Sequence, residues 1–453
     1  MDTLTIQIWG RGQWEDACFL TIANPIVGSS GASELEYLTN YGIEHHGLSD
    51  KRACSINCPV MFSGSYSRAT WFTFIDDIMP AGAARRFWIQ NLGLSREPIG
   101  VQDYYLLKKG TIAPIGNLRI KEAIPLLDSG EKIPINYFDI EEVLKKSSDF
   151  LSHANELGAV GGGATGAGGE APKFLVRLTA NNKVWIDAYQ DDSTNIDQHY
   201  LVKFARNNGS DLDKDILRAE YGYYRFLNSI GIKTINSEKM MLHETNGTPS
   251  LWLPRFDVSI VDGEVVHHGM ESVYSLLEVA PGTHLGHLGV MKKLITIFSS
   301  ADMVEEYGSF NAQEFVNEWV KRDFLNVVLG NSDNHGRNTS FLKSEGKIEM
   351  CPIYDCAPMK ADPEGIIRLI KWENLEVGGD YDWYMIAASC ENFLQEIAGV
   401  KAAPIIENLH DVALKLTDIR KKLKVEGVPE SILDFPSIGF KFVDQKLNTW
   451  GLL

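Results

Sequence analysis

The order of the predicted elements constrains the fold of this chain more than any other feature. Strand-like runs dominate up to about residue 258, and segments with helical spacing dominate after it. The clearest strand-like runs are 174–179, 183–188 and 199–204, and the helix-like segments are 270–277, 290–298, 312–329, 384–400 and 404–423. A strand-rich half followed by a helix-rich half predicts an α+β fold with two lobes. We predict an accessory subdomain over 1–140, a strand-rich lobe over 141–258 and an all-helical lobe over 259–453.

The most informative motif is the polar hexad 333–338, whose sequence is DNHGRN. An aspartate with an asparagine five positions later has the spacing of the protein-kinase catalytic loop, where the aspartate accepts a substrate hydroxyl proton and the asparagine holds Mg²⁺. An apolar run over 324–329 precedes the hexad, and a strand-like pattern begins after it. The hexad is therefore expected on a short loop between buried elements, where catalytic groups are usually presented.

A second acid strengthens this interpretation. A return strand over 347–351 would bring Asp355 close to Asn338, and a second carboxylate is the other metal ligand of the kinase scheme. The alternative for the hexad taken alone is a solvated Asn/Asp/Gly turn without chemistry.

A glycine tract lies between a predicted helix over 148–157 and the predicted strand over 174–179. Residues 158–173 contain seven glycines among sixteen residues. Such a tract suits a loop whose backbone N–H groups closely approach phosphates, although a flexible linker is the alternative. The tract lacks the Gly-Lys-Ser/Thr ending of a Walker A motif.

Three features downstream fit a nucleotide site. Lys203 lies inside an apolar strand-like run, where a lysine is costly unless it meets an anion; the alternative is the solvent face of an edge strand. Glu220 follows on a predicted helix over 214–230, spaced to pair with Lys203 or to be exposed. The strand-like residues Leu251, Trp252 and Leu253 lie just before the sequence changes from strand-like to helix-like segments. The connection between the two lobes is expected there, and its backbone could hydrogen-bond to the edge of an adenine ring.

Composition excludes several classes of protein. The net charge of −17 disfavours direct binding of this chain to nucleic acid or to an anionic membrane. No apolar run approaches the roughly 18 residues of a bilayer span, and the first residues lack a signal-peptide pattern, so a cytoplasmic location is expected. Six cysteines without a tight C-x₂-C pair favour free thiols over a zinc site.

The motifs together resemble the HipA family, the serine/threonine-kinase toxins of bacterial type II toxin–antitoxin systems. The resemblance rests on 168–173 (GGEAPK), 200–203 (YLVK), 255–257 (RFD), 330–338 (GNSDNHGRN) and 354–355 (YD), in matching order across roughly residues 150–420. It implies an atypical protein-kinase fold that uses ATP and Mg²⁺ to phosphorylate a serine or threonine of a protein.

The resemblance also implies a role for each matching residue. Asp333 would orient the target hydroxyl, with His335 and Arg337 steadying the loop or the transferring phosphate. Asn338 and Asp355 would ligate magnesium. ATP would be bound by the residues Thr165, Gly166, Ala167, Gly168, Gly169, Lys203, Glu220, Leu251, Trp252 and Leu253.

Family members are similar in their partners as well. They typically phosphorylate aminoacyl-tRNA synthetases and are held by a helix-turn-helix antitoxin (HipB-like), so that DNA is reached only through that partner. Family members often carry a serine in the glycine loop whose autophosphorylation silences the enzyme, and this chain departs from them because its nearest hydroxyl there is that of Thr165. A small-molecule phosphotransferase and a catalytically silent module of a repressor complex are the alternative functions.

Overall fold

The computed structural model of the chain describes residues 1–157, 173–207, 209–377 and 380–453. Its strands are β1 Asp2–Gly10, β2 Gln13–Ile22, β3 Ser33–Tyr37, β4 Tyr66–Arg68, β5 Leu118–Ile120, β6 Phe138–Asp139, β7 Lys173–Leu178, β8 Lys183–Trp185, β9 Gln198–Phe204, β10 Met241–Thr245, β11 Thr248–Pro254, β12 Val258–Val261, β13 Glu264–His267, β14 Gly269–Ser272, β15 Leu285–Gly286, β16 Ser340–Ser344, β17 Lys347–Met350, β18 Ile370–Lys371, β19 Glu376–Val377 and β20 Asp380–Tyr381.

The helices are α1 Thr39–His45, α2 Ile75–Ile78, α3 Gly82–Asn91, α4 Ile99–Gly110, α5 Ile140–Leu144, α6 Ser148–Glu156, α7 Asp211–Ser229, α8 Val273–Leu277, α9 His287–Phe298, α10 Ala301–Tyr307, α11 Ala312–Val328, α12 Trp383–Ala398, α13 Ala402–Leu416, α14 Ile419–Val425, α15 Glu430–Leu433 and α16 Val443–Thr449. Short 3₁₀ helices occur at Gly28–Ser30, Lys121–Ala123, Met359–Ala361 and Phe440–Phe442. None of the described helices is both long and apolar enough to cross a bilayer.

The chain folds into two compact units. The first unit comprises residues 1–207, 238–280 and 340–351, and the second comprises 208–237, 281–339 and 352–453. The predicted α+β class is confirmed, with strands concentrated in the first unit and helices in the second. The predicted boundaries after residues 140 and 258 stay predictions.

The first unit is built on two antiparallel sheets. One has the strand order β4-β3-β2-β1-β5, and the other has the order β10-β11-β9-β7-β8-β6. Strand β1 buries Leu4, Ile6 and Ile8 at every second position, as expected for a sheet with one face in the core. Arg255 and Asp257 form a buried ion pair in this unit, and Asp257 Oδ2 also accepts from the Gly116 N–H at 2.7 Å.

The second unit packs around α11. This helix buries Phe315, Trp319, Val320 and Phe324 along one face, at the three- and four-residue spacing of an amphipathic helix. Asn311 caps it, because its side chain accepts from the Glu314 N–H at 3.1 Å. The helix leads directly into the polar hexad.

Some predicted elements differ from those observed. The helix predicted over 270–277 is wrong in its first half, because Gly269–Ser272 forms strand β14 against β16 and only Val273–Leu277 is helical. The helix predicted over 404–423 is two helices, α13 and α14, and the strand predicted over 183–188 ends at Trp185. Residues 259–453 contain the helices α8–α16 but also short strands, so this part of the chain is not all helical. All six cysteines are free and buried.

Candidate active site

The turn after α11 sets the position of the hexad. Gly330 adopts a left-handed backbone with φ of +70°, and a Cβ there would lie 2.8 Å from Cγ1 of Ile438. A side chain at this position would therefore be strained and would displace Ile438. The Gly330 carbonyl accepts from the Lys360 N–H at 2.9 Å, which fixes the beginning of the loop to the segment after Asp355.

Hydrogen bonds within the loop hold its shape. Asn331 Oδ1 accepts from the Asp333 N–H at 3.2 Å, and Asn331 Nδ2 donates to Asn326 Oδ1 at 3.0 Å. Asn338 Nδ2 donates to the Asp333 carbonyl at 2.7 Å and so closes the six-residue loop. The spacing of five residues between Asp333 and Asn338 is what allows this closure.

His335 lies against the carboxylate of Asp333. Its Nε2 is 3.3 Å from Asp333 Oδ1, and its Nδ1 accepts from the Arg337 N–H at 3.2 Å. Because Nδ1 is the acceptor, a neutral His335 carries its proton on Nε2 and presents it to Asp333. The side chain of Asp333 is 17% exposed, so it is oriented by the protein yet reachable from solvent.

Asn338 has an unsatisfied oxygen. Its Oδ1 is buried and has no hydrogen-bond partner among the residues that the structure describes. A cavity of about 30 Å³ lies here, lined by Asp333, Asn338, Tyr354 and their neighbours in the second unit. A buried amide oxygen without a donor costs free energy unless it meets a cation or a water molecule. The donor chemistry therefore fits a hard divalent cation, which prefers oxygen ligands.

Asp355 has a strained backbone. Its φ is +51°, a left-handed conformation that few residues other than glycine adopt. The next N–H, that of Cys356, donates to Tyr224 Oη at 3.1 Å, and Tyr224 Oη donates to Glu220 Oε1 at 3.0 Å. The surrounding hydrogen bonds thus hold a conformation that costs free energy, which is common at functional sites.

Tyr224 links the segment of Asp355 to α7. Burial, followed by the negative charges of Glu220 and Asp355, raises the pKa of Tyr224 well above its ordinary value. Tyr224 therefore stays a neutral hydrogen-bond donor to Glu220. Tyr354 Oη donates to the carbonyl of Arg337 at 2.5 Å, which joins the same segment to the hexad.

A buried aspartate beneath the hexad was not predicted from the sequence. Asp323 on α11 is 2% exposed; its Oδ1 accepts from Asn334 Nδ2 at 2.8 Å and from the Arg368 guanidinium, and its Oδ2 accepts from Trp372 Nε1 at 2.8 Å. Burial is the largest influence and would raise its pKa, but the charges of Arg368 and His287 and the hydrogen bonds from Trp372 and Arg368 together outweigh burial, and the pKa is lowered. Asp323 therefore stays ionised and ties the hexad to residues 368–372.

Neighbours of Asp323 complete this connection. The Asn334 carbonyl accepts from the N–H groups of Leu369 and Ile370, at 2.9 and 3.2 Å. His287 stacks on Trp372 with ring centroids 4.2 Å apart, and its Nε2 is 3.5 Å from Asp323 Oδ2. Burial lowers the pKa of His287 to about 4, so this histidine is neutral at neutral pH.

The predicted ATP lysine is on an inner strand of the first unit. Lys203 lies on β9 between β11 and β7 and is 4% exposed, which excludes the edge-strand alternative. Lys173 on β7 is its direct cross-strand partner and is equally buried. Opposed like charges destabilise a sheet unless anionic groups, from the protein or from a ligand, compensate them. The sequence analysis did not assign Lys173 to the site.

The predicted adenine segment shares this sheet. Leu251 on β11 is directly opposite Lys203, whereas Trp252 is opposite Val202 and packs in the apolar core. Side chains alternate along a strand, so Leu251 and Leu253 are on the lysine face and the Trp252 side chain is on the other. Only the backbone of Trp252 is available on the predicted side.

The remaining predicted residues divide between the two units and the undescribed part of the chain. Glu220 is buried on α7 in the second unit, and Arg337 is buried in the hexad. The glycine-loop residues Thr165, Gly166, Ala167, Gly168 and Gly169 lie outside the described residues. Within the described ranges, no group of three or more His, Cys, Asp or Glu side chains could hold a metal. The predicted ligand set differs from such a group because it combines one asparagine with one aspartate.

Comparison with known proteins gives three matches. The family described as HipA-like C-terminal domain matches residues 165–416, more than half of the chain. "Toxin YjjJ" of Escherichia coli is 27% identical over 228 residues, which are 48% of this chain and 45% of that protein. The chain thus spans less than half the length of this curated relative.

Among solved structures, HipA of Shewanella oneidensis, determined in complex with HipB and operator DNA, covers 99% of this chain with a TM-score of 0.60 and 16% identity. The match spans 96% of that HipA chain. The Helicobacter pylori kinase CtkA covers 62% of this chain and 87% of its own, with a TM-score of 0.33 and 14% identity.

Proposed function

Because the chain belongs to the HipA-like C-terminal domain family, we propose that it is an ATP- and Mg²⁺-dependent kinase that phosphorylates serine or threonine residues of a protein. One observation carries the proposal. Asn338 donates to the Asp333 carbonyl through Nδ2 and leaves its buried Oδ1 without a donor among the described residues. The asparagine of a kinase catalytic loop binds Mg²⁺. Asn338 suits this role because its nitrogen closes the loop while its oxygen stays available as a ligand.

In this proposal Asp333 receives the proton of the substrate hydroxyl. His335 Nε2 faces Asp333 Oδ1 and fixes the orientation of the carboxylate, which is the requirement for a base that positions a nucleophile. The Arg337 N–H holds His335 in the necessary tautomer. Arg337 itself steadies the loop through its backbone and supplies a positive charge beside it.

Asn338 Oδ1 and the carboxylate of Asp355 are the proposed magnesium ligands. The Mg²⁺ that they would hold supplies positive charge against the negative charge of the transferring phosphate. The chain's contribution is to hold both oxygen donors in place: Asn338 through the Asp333 carbonyl, and Asp355 through the bond from its neighbour Cys356 to Tyr224.

Lys203 and Lys173 are the proposed partners of the ATP phosphates, together with the glycine loop from Thr165 to Gly169. Glu220 is a further residue that we propose for nucleotide binding. Leu251 and Leu253, with the backbone of Trp252, would contact the adenine.

The relatives suggest the biological setting of this activity. "Toxin YjjJ" and the HipA structure with HipB and operator DNA support a growth-inhibiting kinase controlled by a helix-turn-helix antitoxin. We propose such a HipB-like partner for this chain, with DNA contacted only through it, because a net charge of −17 opposes direct binding. An aminoacyl-tRNA synthetase is the proposed target.

A transfer assay tests the proposal. ATP radiolabelled on its terminal phosphate is incubated with Mg²⁺, cell lysate and either the wild-type chain or Asp333→Asn. We expect label in a protein band with the wild type and none with Asp333→Asn, while Asp302→Asn on the exposed surface of α10 behaves like the wild type. Label confined to small solutes would favour a metabolite phosphotransferase instead. Full transfer by Asp333→Asn would contradict the assignment of the base.

A further inference from the structure

Three exposed lysines of the second unit lie on segments that are attached to the beginning of the loop that carries the hexad. Lys360, Lys441 and Lys446, here called the lysine patch, are all exposed. None of them forms an ion pair with any residue in the described part of the chain.

Backbone contacts place the lysine patch next to the proposed catalytic residues. Lys360 follows Asp355 by five residues, and its N–H donates to the carbonyl of Gly330, three residues before Asp333. Ser437 Oγ donates to the Lys360 carbonyl at 3.1 Å, and Ile438 lies against Gly330. The segment that carries Lys441 and Lys446 is therefore attached at the beginning of the loop that carries Asp333.

The charges of the lysine patch reinforce one another. Lys446 Nζ is 4.0 Å from the position a Cβ would take on Gly439, beside the segment that contacts Lys360. Lys360 is exposed as a whole residue but its ammonium group is partly buried, and burial, then the positive charges of Lys446 and Arg368, lower its pKa. Like charges held close to one another favour an anionic ligand.

Acidic side chains near the lysine patch have other partners. Asp434 and Glu430 accept from Arg420, and Glu430 also pairs with Lys424. Asp444, on the same helix as Lys446, accepts from the Asp418 N–H at 3.1 Å. Within the described residues, none of these carboxylates forms an ion pair with a lysine of the patch.

We propose that the lysine patch binds acidic side chains of the protein substrate, next to the serine or threonine that is phosphorylated. This inference rests on the proposed kinase function and specifies its substrate class. Phe442 is 48% exposed and lies 4.9 Å from Lys441 Nζ, so the lysine patch also offers an apolar ring to a peptide. A protein fits better than a nucleic acid, because the net charge of −17 repels a long polyanion while three lysines are enough for a short acidic segment.

Binding and turnover test the inference separately. Fluorescence anisotropy with a labelled glutamate-rich peptide measures binding without catalysis, for the wild type and for Lys441→Glu/Lys446→Glu. The control is Lys292→Glu/Lys293→Glu, two exposed lysines of α9 that also lack ion pairs within the described residues and give the same change in net charge. Dephosphorylated casein and myelin basic protein serve as acidic and basic kinase substrates.

We expect Lys441→Glu/Lys446→Glu to weaken peptide binding about tenfold, since each reversed surface charge has a modest effect and the two act together. The KM for casein should rise by a similar factor with kcat nearly unchanged, and turnover of myelin basic protein should not fall. Binding by the control pair should match the wild type, and added salt should weaken the wild-type complex.

Three results would overturn the inference. The first is that the control pair loses as much peptide binding as Lys441→Glu/Lys446→Glu does. The second is that Lys441→Glu/Lys446→Glu binds the peptide as tightly as the wild type. The third is that the wild type binds short single-stranded DNA more tightly than the acidic peptide. If the wild type phosphorylates neither protein but still binds the peptide through the lysine patch, the proposed kinase function fails and the binding site stands.

Discussion

At the scale of single residues, each important side chain has two partners at once. Asn338 closes the hexad through its nitrogen and is proposed to bind a cation through its oxygen, while His335 accepts from Arg337 and faces Asp333. A substitution at such a residue therefore has a structural and a chemical effect. Matched controls can separate the two.

Asn338→Ala removes one amide-to-carbonyl hydrogen bond and the proposed metal ligand. We expect the protein to lose about 1 kcal/mol of stability, measured by urea unfolding, and to lose phosphate transfer. Asn448→Ala on α16 removes a similar bond, from Nδ2 to the Asp444 carbonyl at 2.8 Å, without touching the site. If Asn338→Ala transfers phosphate as well as Asn448→Ala does, the metal role of Asn338 is wrong.

Asp323→Asn leaves the guanidinium of Arg368 without its buried counter-charge. We expect a loss of about 3–5 kcal/mol in urea unfolding and a fall in kcat through displacement of Asn334. The double variant Asp323→Asn/Arg368→Met should recover part of the stability, because it leaves no buried unpaired charge. Equal stability of the single and double variants would show that Arg368 is not the partner that matters.

At the scale of elements, local patterns were readable from the sequence and long-range pairings were not. The hexad was predictable because its closure spans only five residues. Residues 270–272 have helical spacing but pair with β16, some seventy residues away, and this tertiary pairing outweighs local preference. The burial of Asp323 could have been predicted, because it occupies a position on the apolar face of α11. A charge at such a position needs a partner. Its partner Arg368 lies 45 residues later, which no local pattern reveals.

The alternation of a strand would have corrected one further assignment. The sequence predicts an adenine-binding segment of Leu251, Trp252 and Leu253, yet adjacent residues of a strand point to opposite faces. The structure puts Trp252 in the core for this reason. The glycine loop was also read from composition, and its residues lie outside those that the structure describes.

The turn that joins α11 to the hexad can be tested with one methyl group. Gly330→Ala places a Cβ 2.8 Å from Ile438 in a left-handed backbone, whereas Gly399→Ala, at the end of α12, meets a similar φ of +64° with no atom within 4 Å. Both variants should lose about 1 kcal/mol from backbone strain. We expect Gly330→Ala to lose a further 1–3 kcal/mol, roughly, from the clash, and to lower transfer. Equal urea midpoints for the two variants would show that Ile438 moves aside freely.

At the scale of the whole molecule, buried neutral histidines make stability depend on pH. His287 has a pKa of about 4 in the folded protein against an ordinary value of 6.5, and burial lowers the pKa values of His199 and His267 as well. Between pH 4 and pH 6.5, roughly, His287 is protonated in the unfolded chain but neutral in the folded protein. Stability is therefore fully present above pH 6.5 and falls as the pH drops towards about 4.

For His287 alone the loss should reach about 3 kcal/mol near pH 4. Urea unfolding across this range measures it, and His287→Gln, which cannot titrate but can accept from Trp319 Nε1, should show a shallower dependence. The same slope in both proteins would mean that His287 does not control this behaviour.

The central claim is that Asn338 and Asp355 hold a divalent cation beside Asp333. Electron paramagnetic resonance of Mn²⁺, a spectroscopic substitute for Mg²⁺, measures its binding directly in the presence of a non-hydrolysable ATP analogue. We predict that Asn338→Ala and Asp355→Asn each weaken Mn²⁺ binding by at least about tenfold, the effect of losing one ligand interaction of roughly 1.4 kcal/mol, while Asp333→Asn leaves it nearly unchanged. Unaltered Mn²⁺ binding in both ligand variants would contradict the account.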